Sequence, residues 1–178
     1  MTKRRAFLGQ LGTIAAGLTV APDELRASSA RRFGPWDTSW LDRLASAQYR
    51  VVFNTSEVSE GNVLSYTASF LDDFHTVHGT ADAQTRPVIV FRRLGTPMAL
   101  NDVLWERYAV GEDLKIKDPN THAFATRNVF WKALDGATGW EAEYALEPLQ
   151  RRGLICLVCN VALGNWAASI AQRSQRDP

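Results

Sequence analysis

The chain has 178 residues and a formal net charge of +1, with 46% hydrophobic and 22% charged residues. This composition is typical of a globular protein, and the near-zero charge excludes a broad basic surface for nucleic acid or for an anionic membrane. No stretch beyond the N-terminal region is long and apolar enough to span a bilayer. We therefore expect neither a nucleic-acid partner nor a membrane span after signal removal.

The first 30 residues have the pattern of an export signal. Arg4 and Arg5 precede Phe7, and a mildly apolar run diluted by glycines follows. This order resembles a twin-arginine (Tat) signal, and its apolar run is shorter than the ~18 residues of a membrane span. We expect processing after Ala30 and export to the periplasm, with the Tat machinery as a partner. The alternative is an amphipathic helix that begins a cytosolic domain.

Removal of residues 1–30 from the 178 leaves 148, enough for one domain with its own core. The chain has 20 basic and 19 acidic side chains, of which the signal contains four basic and two acidic ones. The remaining residues therefore have 16 basic and 17 acidic side chains. Residues 31–48 are predicted to form a lead-in segment with a short helix capped by Asp37 or Thr38. The domain itself is expected over residues 49–178.

Strands and helices are predicted to alternate along this domain. Compact runs of β-branched and aromatic residues predict three strands, at 49–53, 87–91 and 154–158. The second run is apolar throughout, which favours a strand covered on both faces. Apolar residues at helical spacing predict helices over 63–74, after residue 97, over 141–152 and from 161 onward. Such alternation implies parallel strands joined by crossover connections, which is the α/β class.

Both cysteines lie where the third strand is expected to meet the last helix. If the backbone were extended from Cys156 to Cys159, their Cα atoms would be ~10 Å apart, and a disulfide needs ~4.4–6.8 Å. A redox pair is therefore disfavoured, and no second Cys/His pair completes a zinc site. Cys156 has aliphatic neighbours and is expected to pack in the core. Cys159 is either a reactive thiol favoured by the helix N-terminus, with Asn160 beside it as a potential cap, or a small residue that fills the corner.

Four stretches resemble one known family. They are YRVVFNTSE, RPVIVFRRLGTPMALNDVLWERYAVGE, KDPNTHAFATRNVFW and LQRRGLICLVCNVAL, and together they cover about residues 49–170. In order and character they resemble exported members of the DsrE/DsrF-like family. The resemblance implies a small flavodoxin-like, three-layer α/β domain with a mostly parallel sheet, in a protein that often forms homo-oligomers. Family domains usually continue with another strand and helix, so this chain is expected to lack the last strand.

The resemblance also implies a role for one cysteine. Several family members relay sulfur on a cysteine near the end of a strand, and Cys159 matches that position. By this resemblance Cys159 would exchange persulfide sulfur with a donor or acceptor protein, or the site would bind a small anion. The alternative is a non-catalytic oligomeric module that binds or assembles partners without redox chemistry.

Other polar residues are candidates for binding at the edge of the sheet. His122, Arg127 and Asn128 lie in a long irregular stretch, where they would either bind an anionic group or tie the loop to the domain. Thr96 would either touch a ligand where the second strand ends or cap the next helix, with Pro97 in its first turn.

Metal and nucleotide sites have little support in the sequence. His75 and His78 have a helical spacing, but they lie where a helix is expected to run into a surface loop, so no metal site is predicted. The polar stretch NTSEVSEG after the first strand lacks the glycine spacing of a phosphate-binding loop. No cofactor is therefore expected.

Overall fold

The computed structural model describes residues 37–133, 136 and 144–174, most of which belong to one compact unit that begins at Trp40. The predicted export signal lies outside the described residues. The strands are β1 (Tyr49–Thr55), β2 (Thr85–Phe91) and β3 (Ile155–Val158). The α-helices are α1 (Ser39–Ala45), α2 (Asn62–His78), α3 (Asp102–Arg107), α4 (Val110–Asp113), α5 (Leu146–Arg151) and α6 (Asn160–Ser174). Short 3-10 helices cover Ser59–Gly61, Asp82–Gln84 and Arg93–Ala99.

The three strands form one parallel sheet in the order β1-β2-β3. Phe53 of β1 lies beside Ile89 of β2, and Ile89 lies beside Cys156 of β3. Helices connect the strands, so the domain is of the α/β class and consistent with a small flavodoxin-like domain, as predicted. The three predicted strands are confirmed, with ends that differ by one or two residues.

Burial differs between the central strand, β2, and the edge strand β1. Five of the seven residues of β2 are buried, which confirms that this apolar strand is covered on both faces. In β1 partly buried residues alternate with exposed ones, and Val52 keeps 62% of its surface exposed. The face of β1 that carries Val52 is therefore open among the described residues.

The predicted helix after β1 is confirmed as α2. Val63, Leu64, Ala68 and Leu71 recur at helical spacing and are buried, and the helix packs on β2 and β1. It ends at Gly79, whose φ of +63° and whose N–H bond to the carbonyl of His75 are typical of a glycine C-cap. The core that forms below α2 contains Leu64, Leu71, Ile89, Phe91, Met98, Trp105, Leu146 and Leu149.

The segment after β2 corrects one prediction. Thr96 does not cap a helix, because Arg93–Ala99 is a 3-10 helix with Pro97 inside it. The next α-helix, α3, is capped by Asn101, whose side-chain oxygen accepts a hydrogen bond from the Leu104 N–H at 3.0 Å. Trp105 is the residue that α3 buries, and its indole N–H donates to the carbonyl of Pro97 at 3.0 Å.

Between α4 and α5 the described residues form no strand, only an isolated antiparallel bridge between Lys117 and Phe124. The chain folds back here because Gly111 has no side chain: a Cβ atom would lie 2.2 Å from the carbonyl oxygen of Ala125. The helix predicted over residues 141–152 is shorter: α5 begins at Leu146, Tyr144 and Ala145 are not helical, and residues 141–143 lie outside the described part. Gly153 follows it with a φ of +105°, in the C-terminal position predicted for it.

None of the described helices has the length and apolar character required to cross a bilayer.

Candidate thiol site at the carboxyl end of the sheet

Cys159 lies at the junction of β3 and α6. Its N–H donates to the carbonyl of Phe91 at 2.9 Å, which extends the pairing of β3 with β2 by one residue. Its carbonyl accepts from the Leu163 N–H at 2.9 Å, the first hydrogen bond of α6. Cys159 therefore occupies the N-cap position, and the N–H groups of the first turn of α6 have no partner within the helix. Asn160 is exposed and is the first residue of the helix rather than its cap.

The Cys159 side chain is partly exposed and lines an open cavity of about 690 Å³. One wall follows β2 and carries Arg92 and Arg93. The opposite wall is α6, which contributes Trp166 and Asn165. Because the strands are parallel, this cavity lies at their carboxyl ends, where α/β proteins usually bind ligands.

Close backbone packing holds the two arginines at this edge of the sheet. The Arg92 N–H donates to the carbonyl of Thr55 at 3.0 Å, so the segment after β2 is attached to the end of β1. A Cβ atom on Gly95 would lie 2.8 Å from the Thr55 carbonyl oxygen, so a larger residue would push this segment away. Arg93 has a φ of +50°, a conformation that strains a non-glycine residue.

The charges around Cys159 are unequal. Arg173, near the end of α6, forms an ion pair with Asp113, so its charge is neutralised. Within the described ranges, neither Arg92 nor Arg93 has a carboxylate partner, and both are exposed. Cys159 therefore lines the same cavity as two exposed arginines and lies at a helix N-terminus, an arrangement that favours an anionic ligand.

Cys156 has the opposite surroundings. It packs against the hydrophobic core, and the amide Nε2 of Gln150 donates to its Sγ at 3.5 Å. Burial raises the pKa of the Cys156 thiol to about 11, so it remains protonated at neutral pH. Both cysteines are free thiols. Cys156 was predicted to pack in the core; it packs against the core but is only partly buried.

Arg127 and His122 do not line the Cys159 cavity. Arg127 Nε lies 2.7 Å from Asp118 Oδ2, and His122, which is exposed, donates its backbone N–H to the Asp118 carbonyl at 2.8 Å. The backbone N–H of Asn120, followed by the Arg127 side chain, holds the pKa of Asp118 below its ordinary value. These residues form one local turn, apart from the thiol.

Asn128 has a structural position. It is 2% exposed, and its Nδ2 donates to the carbonyls of Met98 and Leu100, each at 2.7 Å. Its Oδ1 accepts from the Phe130 N–H at 3.0 Å. The side chain thus ties the irregular stretch to the segment after β2, which is the second of the two roles considered for it.

Thr96 is likewise remote from the Cys159 cavity. Its side chain is fully buried, with 0% exposure, and among the described residues its hydroxyl has no hydrogen-bond partner. It does not line the cavity, although Arg93 and Leu94 just before it do.

His75 and His78 lie in the last turn of α2. The ring of His78 lies 5.7 Å from the ring of Tyr49 in a stacked arrangement. In the part of the chain that the structure describes, no three His, Cys, Asp or Glu side chains are placed to hold a metal ion.

Sequence reasoning missed the two arginines beside the thiol. Arg92 and Arg93 directly follow the last residue of β2, and that placement was the available signal. The longer irregular stretch drew attention to Arg127 instead.

Comparison with known proteins provides no relative from which a role could be transferred. No protein family, curated protein or solved structure matches the chain. Its function must therefore be argued from the geometry of the site.

Proposed function

We propose that the chain is an exported DsrE-like protein that handles sulfur, or binds a small anionic ligand, through the thiol of Cys159. The position of that sulfur is the observation that supports the proposal most. It belongs to a partly exposed residue at the N-terminus of a 15-residue helix, and it lines an open cavity. Cys156 is also partly exposed, but it lies within β3 and does not line this cavity.

The proposed chemistry is persulfide exchange. The Cys159 thiolate attacks the terminal sulfur of a donor persulfide, R–S–SH, and a new S–S bond forms as the old one breaks. The donor leaves as a thiolate, and Cys159 retains the terminal sulfur with its proton. Arg92 and Arg93 stabilise the attacking Cys159 thiolate and the donor thiolate that leaves. The sequence suggested this role for Arg127.

Mass spectrometry tests this proposal. The folded protein is exposed to a low-molecular-weight persulfide at neutral pH, trapped with an alkylating agent and weighed. We expect a gain of one sulfur atom that is lost in Cys159→Ser and retained in Cys156→Ser. An Arg92→Gln/Arg93→Gln variant should take up sulfur several-fold more slowly, because the anion loses its two cations.

Retention of the sulfur in Cys159→Ser, or no uptake by the wild-type protein, would count against sulfur handling. Iodoacetamide is the control for access to the site, because this neutral reagent shows whether the Cys159 thiol can be alkylated when no anionic reagent has to bind.

The proposal includes export by the twin-arginine pathway to the periplasm. It is supported by the adjacent arginines Arg4 and Arg5 ahead of an apolar run. Replacement of both by lysine should leave the protein in the cytoplasm of a Tat-competent bacterial host, as measured by fractionation. Unchanged periplasmic recovery would contradict the pathway.

The second candidate is a non-catalytic oligomeric module. It is supported by the apolar surface of α6, where Val161 is 71% and Leu163 40% exposed. A groove of about 340 Å³ runs between α6 and the segment of α3, lined by Leu104 and Tyr108 on one side and Ile170 on the other. Sedimentation of the wild-type chain and of Leu163→Glu tests this: an oligomer that dissociates in the variant supports assembly through α6.

A further inference from the structure

A second cavity, of about 870 Å³, lies beside the loop that follows β1 and shares no described lining residue with the Cys159 cavity. Lys115, Lys117 and Lys132 line it. The chain contains only four lysines, against 16 arginines, so three of its four lysines surround this one cavity. The concentration of one cation type at a single concave surface is the observation from which the inference starts.

Local backbone structure brings these lysines together. Gly111 lets the chain fold back closely against Ala125. The antiparallel bridge between Lys117 and Phe124 joins the two sides of the resulting loop. Lys132 follows a turn in which the Trp131 N–H donates to the Asn128 carbonyl at 3.1 Å. Two separate segments therefore place lysines on the same cavity.

The lysines have no ion-pair partner among the residues that the structure describes. The one acidic residue that the structure places in the wall is Glu60. The wall therefore carries an excess of positive charge, although the described surface elsewhere contains paired arginines such as Arg127 and Arg152.

The rest of the wall is largely apolar. Val58, Leu64, Ile116 and Val129 contribute aliphatic groups. Phe130 adds an aromatic ring that packs closely on the chain, because a Cβ atom on Gly61 would lie 3.1 Å from it. A ligand in this cavity would meet cations and hydrocarbon together.

We propose that this cavity binds an amphiphilic anion, which is a molecule with a carboxylate, sulfonate or phosphate group on an aromatic or aliphatic body. The ammonium groups bind the oxyanion, and the aliphatic side chains with Phe130 bury the apolar body. An inorganic anion would use the lysines alone and leave the apolar wall uncovered. The site is independent of the proposed chemistry at Cys159.

A fluorescence titration with 1-anilinonaphthalene-8-sulfonate tests the proposal, because this dye combines a sulfonate with an apolar aromatic body. The full chain is titrated at low salt. Replacement of all three lysines by glutamine (Lys115→Gln, Lys117→Gln, Lys132→Gln) should weaken dye binding at least about tenfold. The matching triple arginine variant, which keeps the charge, should bind within about threefold of wild type.

Two control variants locate the binding. Arg43→Gln/Arg107→Gln/Arg151→Gln changes the net charge by the same amount at exposed positions outside this cavity, and it should bind the dye as wild type does. Arg92→Gln/Arg93→Gln alters only the Cys159 cavity and should also bind normally. Thermal melting of each variant checks that it is folded, and sulfur uptake at Cys159 should be unchanged in the lysine variants.

Three results would overturn the proposal. The first is wild-type affinity in the triple glutamine variant. The second is an equal loss in the control that removes three other arginines, since the effect would then reflect net charge alone. The third is loss of dye binding in Arg92→Gln/Arg93→Gln, which would place the dye at the other cavity.

Discussion

Cys156 and Cys159 lie three residues apart in the sequence and in two different regions of the domain. Cys156 lies in a row across the sheet with Phe53 and Ile89 and packs against the core. Cys159 lies one residue past the end of β3, at the first turn of α6 and beside an open cavity. The strand ends between them, so one thiol belongs to the sheet and the other to the helix terminus.

The difference shows how an abrupt strand-to-helix transition separates two chemically identical groups. Within β3 the backbone pairs with β2, and the side chain of Cys156 is partly buried against the core. At Cys159 the carbonyl already belongs to α6, while the unpaired N–H groups of the helix favour negative charge nearby. Three predictions would break or sharpen this contrast.

The largest expected effect is on thiol reactivity. With a pKa of about 11, about one Cys156 thiol in a thousand is ionised at pH 8. We therefore expect Cys159, measured in Cys156→Ser, to react with iodoacetamide at least about a hundredfold faster than Cys156, measured in Cys159→Ser. The rates follow from mass spectrometry of timed samples, and similar rates for the two thiols would remove the distinction.

The next largest expected effect is on the stability of the domain. Asn128→Ala should lower the free energy of unfolding by about 3 kcal/mol, because the buried carbonyls of Met98 and Leu100 would lose their donors. Asn165→Ala, at an exposed position on the Cys159 cavity, is the matched control and should change stability by less than about 0.5 kcal/mol. Denaturant titration measures both, and equal effects would argue against a structural role for Asn128.

The smallest effect is the pH dependence of stability that arises from Cys156. Its pKa is raised from 9.0 to about 11 in the folded protein, so folding favours the protonated thiol. This contribution is fully present below pH 9 and is lost as pH rises toward 11, because the unfolded chain ionises first. Between these limits the free energy of unfolding of a Cys159→Ser protein should fall by roughly 2 kcal/mol relative to that of Cys156→Ala/Cys159→Ser. The free energy of unfolding of both proteins is measured against pH. If the two curves stayed parallel between pH 9 and 11, Cys156 would have the same pKa in the folded and unfolded chain.

Several elements were predictable because local pattern and tertiary environment agree. The apolar run of β2 is covered on both faces, and the helical spacing of Val63, Leu64 and Leu71 matches the buried side of α2. Gly153 ends α5 because it can adopt a positive φ. In each case one residue type satisfies a local backbone or burial requirement that can be recognised without knowing the partner.

The segment after β2 was not predictable in the same way. Thr96 and Pro97 have the order of a cap and a first-turn proline, yet the helix begins only after Asn101. Close contact between Gly95 and the Thr55 carbonyl belongs to a tighter turn that brings this segment against β1. That contact joins residues distant in the sequence, so local capping preferences could not reveal it.

The amino-acid sequence by itself determined the alternation of strands and helices, the packing of Cys156 against the core and the presence of a thiol where β3 ends. Only the tertiary structure decided which cations face that thiol, because Arg92 and Arg93 reach it through the packing of β2 between its neighbours. The same holds for Lys115, Lys117 and Lys132, which two separate segments bring to one cavity. Local backbone preferences act over a few residues, whereas a site is defined by side chains that distant segments bring together.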